Sequence, residues 1–158
     1  VNQVVVRGTK KPQPGYKAAS VKVGSKTVKT VSNFKLPAKY TIDDNLVPTE
    51  YKQKFNGPGT AYHGGYRTST GKIPEPGYIA VDPDIIPYGS KLYIVGQNNK
   101  ICYGYAIAAD TGDGMMDGSI PVDLYMGNRE DHFYDSCEWG LQYVDIYVIE
   151  VGDNKYVG

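Results

Sequence analysis

Cysteine is scarce in this 158-residue chain: Cys102 and Cys137 are the two present, and they are not in a C-x-x-C arrangement. Zinc ribbons and dithiol redox chemistry therefore have little support. The two thiols either pair in an oxidising compartment or stay free and partly buried. Histidine is as rare. His63 and His132 have no obvious nucleophile near them in sequence, and no G-x-S-x-G occurs, which leaves a serine triad without footing. Long apolar runs are missing too: none approaches the roughly 18 residues of a membrane helix. No charged-then-apolar leader opens the chain, so the expectation is a soluble piece, mature or truncated. No internal repeat is evident.

Net charge is also absent, with 17 Lys and Arg against 17 Asp and Glu, but the zero hides a segregation. Residues 1–58 hold 11 basic and 3 acidic side chains, and residues 59–158 hold 6 and 14, so a front half of +8 precedes a back half of −8. Two jobs are implied. The front suits either a polyanionic surface such as a bacterial wall or a merely solvated linker.

What is plentiful is tyrosine, 15 beside 3 Phe, with 19 Gly and 10 Pro. Aromatic bulk carrying polar tips, broken by many turns, favours a β-rich, loop-heavy, extracellular or carbohydrate-facing protein. The length suits one compact domain with extra segments. The opening VNQVVVRGTK reads as the last strand of a preceding module, residues 1–13, before the breaker KKPQPG. Residues 14–58 alternate small or apolar residues with Lys and Thr and read as a basic linker or short strands. Within them LVPTEYKQKFNGPG has weak helical potential up to Phe55 and a strong stop at Asn-Gly-Pro-Gly.

From residue 59 the texture changes to short β-type runs: TAYHGG, GYIAVDP, KLYIVG, YGYAIAAD, PVDLYMG and YVDIYVIE. NREDHFYDSCEWG is the best helix candidate, with Asn128 as cap, Phe133 and Cys137 facing inward and Gly140 as its end. Six strands and one late helix over residues 59–150 describe a small closed β-barrel. Residues 151–158 form a tail.

Carboxylates are the reactive groups of the acidic half. Asp82, Asp110 and Asp123 each follow an apolar pair and so sit at or near strand ends, where a barrel rim can bring them into one groove. Convergence and burial would raise the pKa of one member and keep it protonated near neutral pH. The plainer reading of any one is a turn former or cap. Asp110-Thr111-Gly112 also matches the aspartic-protease triplet, but a single copy would need a dimer and no flap hairpin is recognisable. DTGDGMMDG fails as an EF-hand because Gly112 and Gly114 stand where ligands belong. Tyr62, Tyr66 and Tyr78 are candidates for the floor of a sugar groove, or plain packing residues.

The runs TAYHGGYRTSTG, PGYIAVDPDIIPYGSKLYIVG, YGYAIAADTGDGMMDG, PVDLYMG and WGLQYVDIYVIE together resemble the three-aspartate, or 3D, domain of Gram-positive wall proteins. They are also similar to the catalytic core of membrane-bound lytic transglycosylase A. The opening VVVRGTK resembles the end of the wall domain named for its five glycines. The resemblance implies a mainly β fold: a six-stranded double-psi β-barrel with one short helix, preceded by an extended N-terminal segment.

It further implies cleavage of the β-1,4 bond between N-acetylmuramic acid and N-acetylglucosamine in peptidoglycan, leaving a 1,6-anhydro sugar. Asp123 matches the family's acid/base, Asp110 its supporting Asp and Asp82 the first of the three. Thr60, Tyr62 and Gly112 would bind the sugar. No cofactor or metal is implied. The expected partners are peptidoglycan glycan strands, and anionic wall polymers through the basic front segment, with no nucleic acid and no membrane span. The expected protein is an extracellular, wall-associated monomer, and the alternative function is a glycan-binding module without catalysis. The chain departs from the family's D-T-G-G-x-I-x-G-x-x-I-D, reading D-T-G-D-G-M-M-D-G-S-I-P-V-D, one residue longer on each side of Gly118, with added charge at Asp113 and Asp117.

Overall fold

A computed structural model describes residues 19–23, 26–63, 67–96, 102–111, 122–127 and 142–154. Eight strands lie in this span. They are β1 (Ala19–Val23), β2 (Lys26–Thr30), β3 (Gln53–His63), β4 (Tyr78–Val81), β5 (Lys91–Gly96), β6 (Cys102–Asp110), β7 (Val122–Gly127) and β8 (Gln142–Glu150). All six runs read as strands in the acidic half are strands. The helix expected over NREDHFYDSCEWG lies outside the described residues, as does Cys137.

The six later strands form a ring in the order β6-β4-β7-β3-β8-β5, closed by the pairing of β5 with β6. The pairings β3–β7 and β4–β6 are parallel, and the other four are antiparallel. The fold is thus the closed six-strand barrel that the sequence pattern implied, and closure gives each strand of the ring a neighbouring strand on both sides over at least part of its length. Alternation along the strands sends Ile79, Val81, Leu92, Ile94, Val122 and Leu124 into one buried cluster that fills the barrel. The intervening residues face outward.

One sequence expectation changes in the front half, and another is narrowed. The weak helix up to Phe55 is instead the start of β3, which runs unbroken through Asn-Gly-Pro-Gly. The reason is tertiary: Gln53 to Gly59 pair in register with Val148 to Gln142 of β8, and a full ladder outweighs weak local propensity. Pro58 is tolerated because β7 joins β3 only from Gly59↔Val122 onward, so at Pro58 the strand has a neighbour on one side. Pro121, outside the described residues, directly precedes the first residue of β7.

The basic segment, read as a linker or short strands, carries the strands β1 and β2. The β1–β2 hairpin joins the barrel at Thr30↔Cys102, and the chain beyond it is pinned rather than free. Ser32 N donates to Tyr103 O at 2.8 Å, and Ser32 Oγ, fully buried, donates to Tyr105 O at 2.6 Å. Phe34, Leu36, Tyr40, Ile42 and Val47 then pack on a second apolar cluster on the outside of the barrel, which includes Tyr93, Tyr105 and Tyr147. The tyrosine richness thus has a structural use: these rings cover apolar area on the outside of the barrel. Cys102 is a free, buried thiol whose Sγ lies 3.5 Å from Tyr93 Oη, and burial pushes it up to about 11, which leaves it an unreactive thiol at neutral pH.

Gly77 shows how tightly this cover fits. It has a φ of +125°, and a Cβ there would run into the Phe34 ring. Phe34 is itself held edge-on to Tyr78 at 5.0 Å. Gly77→Ala is therefore expected to cost about 1–3 kcal/mol through strain and overpacking together, read as a lower urea midpoint with an unchanged slope.

Candidate active site

The register of four adjacent strands lines up the groups that matter. Asp110 of β6 pairs with Ala80 of β4, Ala80 pairs with Asp123 of β7, and Asp123 pairs with Thr60 of β3. The two aspartates are thus two strand spacings apart, about 10 Å between Cα atoms. The small side chain of Ala80, itself buried, stands between them.

Simple alternation would not give this row. Ala106 and Ala108 face the barrel interior, and Asp110 has the same parity, so a regular strand would bury its carboxylate in the apolar core. A β-bulge prevents it: Ile79↔Ala108 is followed by Ala80↔Asp110, which makes Ala109 the extra residue. The bulge turns Asp110 to the outer face beside Ala80. The bulged carbonyl is not left orphaned. Ala109 O accepts Thr70 Oγ1 at 2.7 Å and Thr70 N at 3.3 Å, so the turn after β3 seals the irregularity.

That same turn grips Asp110. Asp110 Oδ1 accepts Ser69 N at 2.9 Å, Ser69 Oγ at 2.7 Å and Thr111 N at 2.9 Å. Asp110 Oδ2 accepts the Tyr62 hydroxyl at 3.2 Å. Tyr62 is steadied by an edge-on contact with Tyr125, ring centroids 5.0 Å apart. Burial, and then the negative charge of Asp110, hold the Tyr62 hydroxyl far above its usual range, so it keeps the proton that it donates to Asp110.

Asp123 has the opposite surroundings. Thr60 Oγ1 donates to its Oδ1 at 2.8 Å. Burial raises its pKa above the usual carboxylate value; the Thr60 hydrogen bond pulls the other way, and the charge of Asp110 adds to the rise. One carboxylate is crowded by donors, and its neighbour is biased toward holding a proton. A carboxyl biased toward holding its proton, beside a second one gripped by donors, is an arrangement suited to a general acid.

The remaining sequence candidates divide. Thr60 and Tyr62, expected to line a sugar groove, are placed against the carboxylates themselves. Asp82 is buried and opens a turn after β4: its Oδ1 accepts Asp84 N at 2.9 Å, and its carbonyl accepts Ile85 N and Ile86 N at 2.9 Å each. Among the described contacts none joins it to Asp110 or Asp123. Gly112, Tyr66 and the 113–121 loop lie outside the described residues. Among those described, no group of three His, Cys, Asp or Glu side chains is placed to hold a metal ion. Ser69 and Thr70 were missed in the sequence. Their signal was the TST before Gly71, which reads only as a turn until the fold lays it over the end of β6.

Comparison with known proteins sets this geometry in a family. The model of the 3D domain matches residues 77–150. The chain is 30% identical to the putative cell wall shaping protein YabE of Bacillus subtilis (strain 168) over 148 residues, 94% of this chain and 32% of that protein. It is 34% identical to the cell wall-binding protein YocH of the same organism over 117 residues, 68% of this chain and 37% of that protein. The chain thus spans about a third of the length of these curated relatives. Among solved structures, E. coli MltA with bound chitohexaose aligns with a TM-score of 0.44 at 20% identity over 54% of this chain and 28% of that one. The lytic transglycosylase LtgG of Burkholderia pseudomallei aligns with a TM-score of 0.41 at 21% identity, over 58% and 28%. The matched span carries β4 to β8 and all three aspartates, and over residues 77–150 this chain is similar to the 3D domain.

Proposed function

We propose that this domain acts on bacterial cell-wall peptidoglycan as a lytic transglycosylase, with Asp123 as its single acid/base. The observation that carries the reading is the contrast between Asp123, half-buried and biased toward its protonated form, and Asp110, which four donors hold across Ala80 from it. The wall relatives support the substrate class and an extracellular, wall-associated setting.

In this mechanism Asp123 gives its proton to the glycosidic oxygen as the C1–O bond breaks, and the N-acetylglucosamine alcohol leaves. The ionised Asp123 then takes the proton of the muramic acid C6 hydroxyl as that oxygen bonds to C1, which closes the 1,6-anhydro ring and restores the acid. No water is consumed and the proton count balances. One carboxyl serves both steps, whereas hydrolysis needs a second carboxylate placed for water or for nucleophilic attack. Thr60 fixes Oδ1 and leaves Oδ2 to carry the moving proton. Asp110 supplies negative charge that favours the protonated start and stabilises positive charge developing at C1.

Release of soluble fragments from purified peptidoglycan tests the reading. Sedimentation with the wall and no release would favour the non-catalytic alternative, which the name of the cell wall-binding relative suggests. Thr60→Val gives a finer test. It removes the one contact that lowers the Asp123 pKa, so the alkaline limb of the pH–rate profile should move to higher pH. The maximal rate should fall about 3- to 10-fold as the carboxyl loses its anchor. A limb that stays in place would show that this contact does not tune the acid.

A further inference from the structure

Far from the paired aspartates, the pinned front segment and the end of β8 enclose a groove of about 690 Å³ between residues 39–41, 49–52 and 149–150. From Gln53, where β3 leaves this groove, to Thr60 is seven residues of strand, about 23 Å. The two sites are therefore separate. We infer that this groove is a second binding site, for a neutral pyranose of a glycan chain.

Three observations converge on that ligand class. Tyr51 is 45% exposed, yet its ring is fixed edge-on to Tyr147 at a centroid distance of 5.0 Å. A rigid, exposed aromatic face is a platform for the apolar face of a sugar ring and costs little ordering entropy. The polar lining is balanced, with Lys39 and Lys52 against Glu50 and Glu150. Lys39 Nζ already lies 3.3 Å from Glu150 Oε2, and the charged lining residues sum to zero, so the lining itself presents no net positive charge to a polyanion. Donors and acceptors in equal supply instead fit a polyhydroxyl ligand, each hydroxyl of which gives and takes a hydrogen bond. The Thr41 and Thr49 hydroxyls, 2.5 Å apart, lie on the same wall, and Tyr40 Oη is buried without a hydrogen-bond partner among the described residues. A second sugar site would let the domain hold a glycan strand while Asp123 engages it elsewhere, raising the local concentration of substrate.

Binding in this groove needs no turnover, so its test uses the full chain carrying Asp123→Asn. Titration with an N-acetylglucosamine tetramer, followed by amide NMR, should move the Thr41, Thr49, Tyr51 and Lys52 signals in a saturable way. Tyr51→Ala added to this background should weaken that response about 3- to 10-fold. Lys52→Ala, at an exposed position, should weaken it more modestly and replaces Tyr51→Ala if the latter loses spectral dispersion. Silent groove amides at millimolar tetramer would overturn the inference. So would movement driven by polyphosphate in place of sugar, or a response that a well-folded Tyr51→Ala leaves unchanged.

Discussion

Asp123→Asn is expected to lower peptidoglycan cleavage by about 10²–10⁴-fold, the span typical of losing a general acid/base, and to leave the barrel intact or better off. The amide keeps an oxygen for Thr60 Oγ1, which donates at 2.8 Å to Oδ1 of the native carboxyl, and it occupies the same outward position between Val122 and Leu124 of the core. What it lacks is an exchangeable acid proton. The effect on stability follows from the raised pKa, whose largest cause is burial. A carboxyl that binds its proton more tightly when folded contributes most below its unfolded pKa, and this contribution is lost as pH rises through the folded value. As pH rises through that folded value the ionised Asp123 becomes a burden on the fold that asparagine removes. Thermal melts at pH 7 should show an equal or higher Tm for the variant, with the difference shrinking toward pH 3. A lower Tm would mean that the loss of activity reports unfolding instead of chemistry.

Asp110→Asn should lower activity about 10- to 100-fold and displace the pH profile, because it acts through Asp123 and through the charge at C1. The Asp110 charge raises the Asp123 pKa. Without it the acid loses its proton at lower pH, and the alkaline limb moves downward. For every pH unit that the limb descends, the protonated form present at a fixed higher pH falls about tenfold. Geometry compounds the effect. All four groups around this carboxylate are donors, namely Ser69 N, Ser69 Oγ, Thr111 N and Tyr62 Oη. An amide must turn its own NH₂ toward one side of that set, which reverses the Tyr62 hydrogen bond or breaks the Ser69–Thr111 clasp. A pH–rate profile measured beside that of Thr60→Val checks the sign, since the two substitutions should move the limb in opposite directions. Limbs that moved together would refute the assigned roles of the two contacts.

Much of this arrangement was legible in the sequence. Each strand of the closed ring announced itself by a short alternating or apolar run, and the aspartates at the ends of AAD and PVD marked where chemistry could gather. The start of β3 was not legible, because QKFNGPG has the local signature of a breaker. Only the ladder with β8 makes it a strand, and that pairing joins residues about ninety positions apart in sequence. The bulge at Ala109 was hidden for a similar reason: in AIAAD nothing distinguishes a regular strand, which would bury Asp110, from one carrying an extra residue that turns it outward. Ser69 and Thr70 looked like turn residues, and they are. Their further work on Asp110 and on the Ala109 carbonyl depends on where the turn lands. The basic front half was the least legible. Read as a linker or short strands, it carries β1 and β2, and its sparse apolar residues, Phe34, Leu36, Ile42 and Leu46, fasten it to the outer face of the barrel.

The measurement that bears most directly on the central claim is mass spectrometry of the soluble products released from purified peptidoglycan by the wild-type protein. Muropeptides ending in 1,6-anhydro-N-acetylmuramic acid are the predicted result, because a lone acid/base at Asp123 passes its proton back from the sugar's own C6 hydroxyl. Reducing-end products carrying one added water, or intact wall that retains bound protein and releases nothing, would contradict it.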